Sequence, residues 1–406
     1  MLNTKDRTIV LTVFTGTYFF AAFAALSFAP LLPFIHEDLL LSNTSLGLFI
    51  SILYLGALIS GIPAGLLSDK WGVPITISIG LMIQGVFIGL VAFISSFYLM
   101  VVMLFIAGLG YGAVNPATSN GIIKWFTAKW RATAMAIKQM GFTAGNMVAA
   151  AVLPALAEII GWRGAIMIVA ASVFACGVIN YFCYPSKLKK KYQADSMPSQ
   201  SSSIKASSIK KYTVAWKDKQ IIFWSVISVF FAAVQLSGTV YMAVYLVDRF
   251  EYSKVMAGMF LSITQGGGAL GRVVWGRISD MYFSDKREKE IILVGFIAAF
   301  TCIIFGILPV NTHLVIMGIV AVVFGFTAIG FNVLFLTLIG EIAGPEKAGQ
   351  AIGFWVTIAY IGAVITPPLF GMVVDGIGFP MAWVALGSLL MATMVFTLVY
   401  TRQNPF

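Results

Sequence analysis

A chain that breaks repeatedly into apolar stretches of about 20 residues or more, each ended by a short polar run, has few ways to fold. A bilayer core about 30 Å thick takes ~20 apolar residues at 1.5 Å rise each. Such stretches fill the sequence, at 8–34, 44–68, 74–94, 97–124, 132–158, 162–184, 220–247, 255–279, 290–309, 312–341, 347–375 and 379–400. Lipid offers no partner to a backbone amide, so spans of this length are helices, and nothing shows the two-residue alternation of a membrane barrel. The expected class is an all-α membrane protein with twelve transmembrane helices. Composition agrees: 59% of the 406 residues are hydrophobic and 10% are charged, against about 25% charged in soluble proteins. A soluble enzyme, a disordered chain and a nucleic-acid binder are excluded together.

The first stretch is longer than the apolar core of a signal peptide, about 7–15 residues, and no small-residue cleavage site ends it, so it is expected to be retained. Placing both termini in the cytoplasm leaves Arg163, Arg249 and Lys254 as the basic residues outside, and Lys138 and Arg272 as those inside spans. The remaining basic residues then face the cytoplasm, as orientation by positive charge requires. The net charge of +10 is thereby a matter of topology. Cys176, Cys183 and Cys302 lie in apolar runs without metal-ligand spacing and are expected to be packed free thiols.

Residues 185–219 break the rhythm with Lys187, Lys189, Lys190 and Lys191 and then the serine-rich tract SMPSQSSSIKASSIKK. This is a polar cytoplasmic linker, either simply solvated or a patch for anionic lipid. It divides the chain into 1–184 and 220–406, each with six spans. The halves repeat. GIPAGLLSD (Gly61 to Asp69) answers to RVVWGRISD (Arg272 to Asp280), Gly108 and Asn115 to Gly325 and Asn332, and Ala136-Ile137 to Ala351-Ile352, at nearly one offset. Two pseudo-symmetric six-helix bundles joined by a linker are the architecture of alternating access.

The stretch GLLSDKWG (Gly65 to Gly72) resembles the signature loop of the major facilitator superfamily, commonly G-x-L-[AS]-D-[RK]-x-G-[RK], with Val73 in place of the last basic residue. A degenerate copy, GRISDMYF, runs from Gly276 to Phe283. The resemblance covers the whole chain and implies that Gly65, Asp69, Lys70, Gly72, Gly276 and Asp280 form gating loops. In that family Asp69 would accept hydrogen bonds from the start of span 11, and Asp280 would act similarly toward span 5, with Arg131. Both could instead simply cap helix ends.

Charge at membrane depth is costly and marks function. Arg272 lies in span 8 within QGGGALGRVVWG, about 10 Å from the cytoplasmic end by helix rise, and no acidic residue shares its span core. An anionic substrate is its expected partner, through the fork that a guanidinium presents to a carboxylate. A bond to backbone carbonyls or a snorkel toward the cytoplasm would be the structural alternative. Arginine in span 8 followed by x-x-x-G is similar to organic-anion members of the superfamily. The oxalate-type members also carry a span 11 lysine, which is missing beyond Lys347. Lys138, in AMAIKQMGFTAG of span 5, either joins the binding site or snorkels. The superfamily resemblance implies that spans 1, 4, 7 and 10 line the cavity, which adds Tyr18, Tyr111, Asn115, Gln235, Tyr241 and Asn332 as substrate-binding candidates.

No Asp, Glu or His lies in the core of a span, so a proton would travel on the substrate's own carboxyl or a rim group, unless one anion is exchanged for another. Drug exporters of the superfamily resemble one another in a span 4 arginine and a span 5 glycine-proline motif. Here Leu104 and Asn146 stand at those places, and Gly141 and Gly145 read as close helix packing. A sugar carrier would have little use for an arginine at this depth. No nucleophile-base pair, metal cluster or nucleotide-binding loop is present, so neither an enzyme nor a hydrolysis-driven pump is expected, and no cofactor. The expected protein is a secondary transporter, a monomer in the plasma (inner) membrane among lipids, moving a small anionic solute such as a mono- or dicarboxylate by proton symport. Its alternatives are an anion exchanger, a drug or sugar carrier, and a non-transporting membrane sensor.

Overall fold

The computed structural model describes residues 4–183, 218–283, 286–344 and 347–403. The basic and serine-rich linker lies, apart from its last two residues, outside them. The first half comprises α1 (Thr4–Ala25), α2 (Phe28–Leu39), α3 (Asn43–Lys70), α4 (Val73–Val91), α5 (Phe97–Gly112), α6 (Val114–Trp125) and α7 (Ala128–Cys183). The second comprises α8 (Lys219–Phe250), α9 (Lys254–Tyr282), α10 (Arg287–Ile307), α11 (Leu314–Phe324), a π-helical turn (Gly325–Ile329), α12 (Asn332–Ala343) and α13 (Ala348–Gln403). There is no strand among the described residues.

Nine helices among the described residues are long and apolar enough to cross a membrane. Two of them, α7 and α13, are 56 residues each and break at Gly161 (φ 74°) and Gly378 (φ 81°), where only glycine is comfortable. Each therefore supplies two crossings. The 29-residue α9, made less apolar by Gln265, Arg272 and Arg277, supplies the last of the expected twelve. The first crossing is not one rod: α1 stops at Ala25 and α2 restarts at Phe28, with Pro30 in its first turn.

By packing, the chain forms two compact units, Met1–Leu39 with Leu48–Ser203, and Leu40–Gly47 with Ile204–Phe406. In the first unit, Gly141 and Gly145 of α7 lie so close to the backbone of α1 that a Cβ would strike Thr15 O and Phe19 O. The glycine pair is a packing device, as its spacing suggests. The repeat has the same origin: a Cβ on Gly108 would strike Leu53 O, and one on the matched Gly325 would strike Thr264 O. Both halves thus cross two helices at backbone contact at the same place. An aromatic cluster of Tyr245, Phe305, Phe324, Phe370 and Trp383 fills the second unit. Of the cysteines, Cys302 is buried, Cys176 is half-buried and Cys183 is exposed at the end of α7, so the last is not packed as expected.

Candidate functional site

The fourth crossing is broken where chemistry gathers. Pro116 has no N–H to give the carbonyl four residues back, so the helix parts at Ala113 into α5 and α6. The first turns of α6 present Asn115, Thr118 and Ser119 to Lys138 of α7. The Lys138 ammonium donates to Asn115 Oδ1 (3.0 Å), Thr118 Oγ1 (3.3 Å) and Ser119 Oγ (2.9 Å). It lies 4.8 Å from the centre of the Tyr18 ring of α1. Lys138 is only 2% exposed, so it does not snorkel. Its three N–H groups are satisfied, every hydrogen-bond partner it has among the described residues is neutral, and none of the ion pairs among them includes it. Asn115 itself is exposed and Ser119 half-buried, so the cluster opens through the groups that hold the ammonium. Tyr111, four residues before Asn115, is buried and packs edge-on against Tyr54.

The tenth crossing repeats the interruption. The π turn, closed by Gly330 N to Gly325 O (3.1 Å), ends just before Asn332. Asn332 Nδ2 donates to Gln235 Oε1 of α8 (3.2 Å) and to Ile329 O (3.2 Å). Interrupted helices at matched places in two halves point to binding sites, and π turns recur at functional positions. The two seats differ in charge. Asn115 faces an ammonium, whereas Asn332 faces a neutral amide.

Tyr241 and Arg272 are the remaining expected residues. Tyr241 is 0% exposed, and its hydroxyl lies between Asn43 O (2.7 Å) and Pro367 O (2.8 Å), which makes it a backbone tether. Arg272 is half-buried on α9, next to Gly271, which abuts the backbone of Phe326.

The motif loops carry side-chain networks. Asp69 accepts from Asn120 Nδ2 (2.8 Å) and Lys124 Nζ (2.7 Å) of α6, and Asn120 also donates to Ser68 Oγ (2.8 Å). The hydrogen bonds expected from the start of span 11 are supplied in this structure by α6. Gly72 takes φ 89°, which explains the last glycine of the motif, and Lys70 is exposed. A Cβ on Gly65 would make ordinary contact with Pro116 (3.9 Å), and one on Gly276 with Val333 (3.6 Å), so neither glycine is required by close packing against another helix among the described residues. Asp280 accepts from Arg287 (3.2 and 3.3 Å), not from Arg131. Arg287 also donates to Ser279 Oγ (2.7 Å) and Glu341 Oε2 (2.6 Å). Arg131 instead donates to Phe126 O (3.1 Å) and Ile123 O (2.8 Å), closing the carbonyl end of α6. A carboxylate seven residues from a forked guanidinium is satisfied locally, which a search for a partner on a distant span overlooks.

The fold defines a multi-pass helical membrane protein. A family model described as "Major Facilitator Superfamily" matches residues 14–360 and 281–406. The chain is 22% identical over 391 residues to a hexuronate transporter of Bacillus subtilis (strain 168), covering 93% of this chain and 90% of that one. It is 26% identical over 413 residues to a probable hexose phosphate transport protein of Chlamydia trachomatis serovar D, covering 96% and 89%. A bacterial homolog of the human lysosomal transporter Spinster, solved in an inward-facing and occupied conformation, shares the fold with a TM-score of 0.80 at 16% identity, covering 99% of this chain and 98% of that one. The chain belongs to the major facilitator superfamily.

Proposed function

We propose that the chain is a secondary active transporter that moves a small organic anion across the plasma membrane by alternating access, with the Lys138 cluster as the seat of the anionic group. The observation that carries this is a fully buried ammonium whose hydrogen-bond partners among the described residues are all uncharged. Holding a charge in a dry interior without a counter-charge costs several kcal/mol, and a carboxylate arriving through Asn115 and Ser119 supplies that counter-charge. The hexuronate and hexose phosphate relatives are both named for anionic solutes, which supports the same class. Between the two, a single ammonium suits a monocarboxylate better than a phosphate dianion, whose recognition favours several cations or a forked guanidinium. Asn332 and Gln235, which offer both donors and acceptors, suit hydroxyl groups of such a solute. Within the second half, Arg272 is kept in the proposal as a further cation for the anionic solute, and both termini lie in the cytoplasm.

Coupling by proton symport is part of the proposal, the proton travelling with a weak acid. In liposomes holding the purified monomer, an inward proton gradient is expected to drive accumulation of a labelled sugar monocarboxylate, and an uncoupler to abolish it. Uptake indifferent to the gradient but stimulated by anion inside would favour exchange. Accumulation of a neutral sugar with no response to carboxylates would contradict the anion assignment.

A further inference from the structure

Helices α1 and α7 touch at backbone distance where Gly141 meets Thr15 O, and they leave a trough beside that seam. Thr8, Leu11, Thr15 and Phe19 recur every three or four residues, so they share the face of α1 that lines it; Ile137 and Met140 line it from α7. The groove encloses about 800 Å³, and all its lining residues belong to the first packing unit. Gly16 opens onto it: a Cβ there would meet nothing within 4 Å, so this glycine is not kept for close packing. Thr15 donates its hydroxyl to Leu11 O (2.8 Å) and lays its methyl against Gly141. A hydroxyl satisfied within its own helix leaves no unmet polar group toward hydrocarbon.

The length of the groove and the charge at its mouth say what fits. From Thr8 to Phe19 the helix rises ~16 Å at 1.5 Å per residue, about half of a ~30 Å hydrocarbon core. The trough therefore spans one leaflet. Its mouth is formed by Arg7, in the first turn of α1, and Trp130, in the first turn of α7. Trp130 is 50% exposed, as suits an indole at the edge of a bilayer. Arg7 is half-buried, and its Nε is buried with no hydrogen-bond partner among the described residues. A cation at the wet end of an apolar trough complements a phosphate with an acyl chain behind it. The solute cluster lies elsewhere: Lys138 is turned about 100° around α7 from Ile137, toward Tyr18 and α6.

We propose that this groove binds an anionic phospholipid, with one acyl chain lying between α1 and α7 and the phosphate at Arg7. An anionic headgroup is favoured over a zwitterionic one, whose own ammonium competes with the guanidinium for the phosphate. With the termini placed in the cytoplasm, the groove opens to the inner leaflet, where anionic lipid is concentrated. A chain seated there braces the two helices that carry Tyr18 and Lys138. The site is built from the first unit alone and is independent of which solute is carried.

The test places the full-length chain in phosphatidylcholine vesicles that contain increasing amounts of chain-brominated phosphatidylglycerol or chain-brominated phosphatidylcholine. Bromine quenches indole fluorescence on contact, and the share belonging to Trp130 is the difference from Trp130→Phe. Brominated phosphatidylglycerol is expected to half-quench that share at about one-tenth of the mole fraction that brominated phosphatidylcholine needs, the discrimination that one charge-assisted hydrogen bond supplies. Arg7→Gln is expected to bring the two lipids level by removing the phosphate's partner. Gly16→Phe is expected to do the same by filling the trough. Arg7→Gln changes only a half-buried residue in the first turn of α1, so its result stands even if Gly16→Phe fails to fold. Equal quenching by the two lipids in the wild type overturns the proposal and leaves only lipid that coats the protein without preference. So does a preference that survives Arg7→Gln, or one that survives in folded Gly16→Phe.

Discussion

Lys138→Met is expected to lower solute transport at least about 30-fold while leaving the protein as stable as before, or more so. Methionine nearly matches the length and volume of lysine, so the space between α1, α6 and α7 stays filled. What disappears is a buried charge held by neutral groups, and replacing buried ions with apolar side chains of similar size is often neutral or stabilising by about 1–4 kcal/mol. Few polar groups are stranded. Thr118 Oγ1 keeps its bond to Val114 O (2.7 Å), and Asn115 and Ser119 reach water. The loss of transport follows from removing the counter-charge of a desolvated anion, where truncating one partner costs about 2–5 kcal/mol, or roughly 30- to 4000-fold in binding. Opposite signs for stability and activity are the signature of a group kept for function. Melting temperature and initial uptake rate on the same preparations check both. A variant that melts well below the wild type yet transports normally would mark Lys138 as a structural residue.

The largest loss of stability is expected from Arg287→Ala. This guanidinium is 8% exposed and binds Asp280, Ser279 and Glu341 at once, joining α9, α10 and α12. Asp280 and Glu341 are half exposed or more, so water takes back part of each lost interaction. Glu290 is less fortunate: it is 0% exposed and lies in the field of Arg287. Removing the cation leaves a buried carboxyl in the field of Asp280, for which about 3 kcal/mol is the expected penalty. Arg287→Lys keeps the charge but loses the fork, and should fall between. Thermal unfolding in detergent reads the series. Unfolding of Arg287→Ala at the wild-type temperature would show that the network is ornamental.

The architecture was legible because it follows from quantities that a sequence carries locally: the length of apolar stretches, the polar breaks between them, and an internal repeat. The glycine pairs were legible for the same reason, since a missing Cβ leaves its mark in one residue. Partners across spans were not. Nothing in AMAIKQMGFTAG says whether Lys138 reaches water, because that depends on Asn115, Thr118 and Ser119 arriving from another helix. Tyr241 was expected among the binding residues by its span, but the carbonyls of Asn43 and Pro367, far away in sequence, turn it into a tether. Asp280 was matched with Arg131 by analogy, and geometry gives it Arg287.

The claim on which the functional account turns is that a buried ammonium, held by neutral groups among the described residues, awaits an anion. Its most direct test is ligand-induced thermal stabilisation of the purified wild type and of Lys138→Gln, using a panel of sugar monocarboxylates and their neutral sugar counterparts. A ligand at about 100 times its Kd stabilises by about 2.7 kcal/mol. The account predicts such stabilisation of the wild type by a monocarboxylate, none by the neutral counterpart, and none for either in Lys138→Gln. Equal stabilisation by charged and neutral partners, or full stabilisation of the variant, would contradict it.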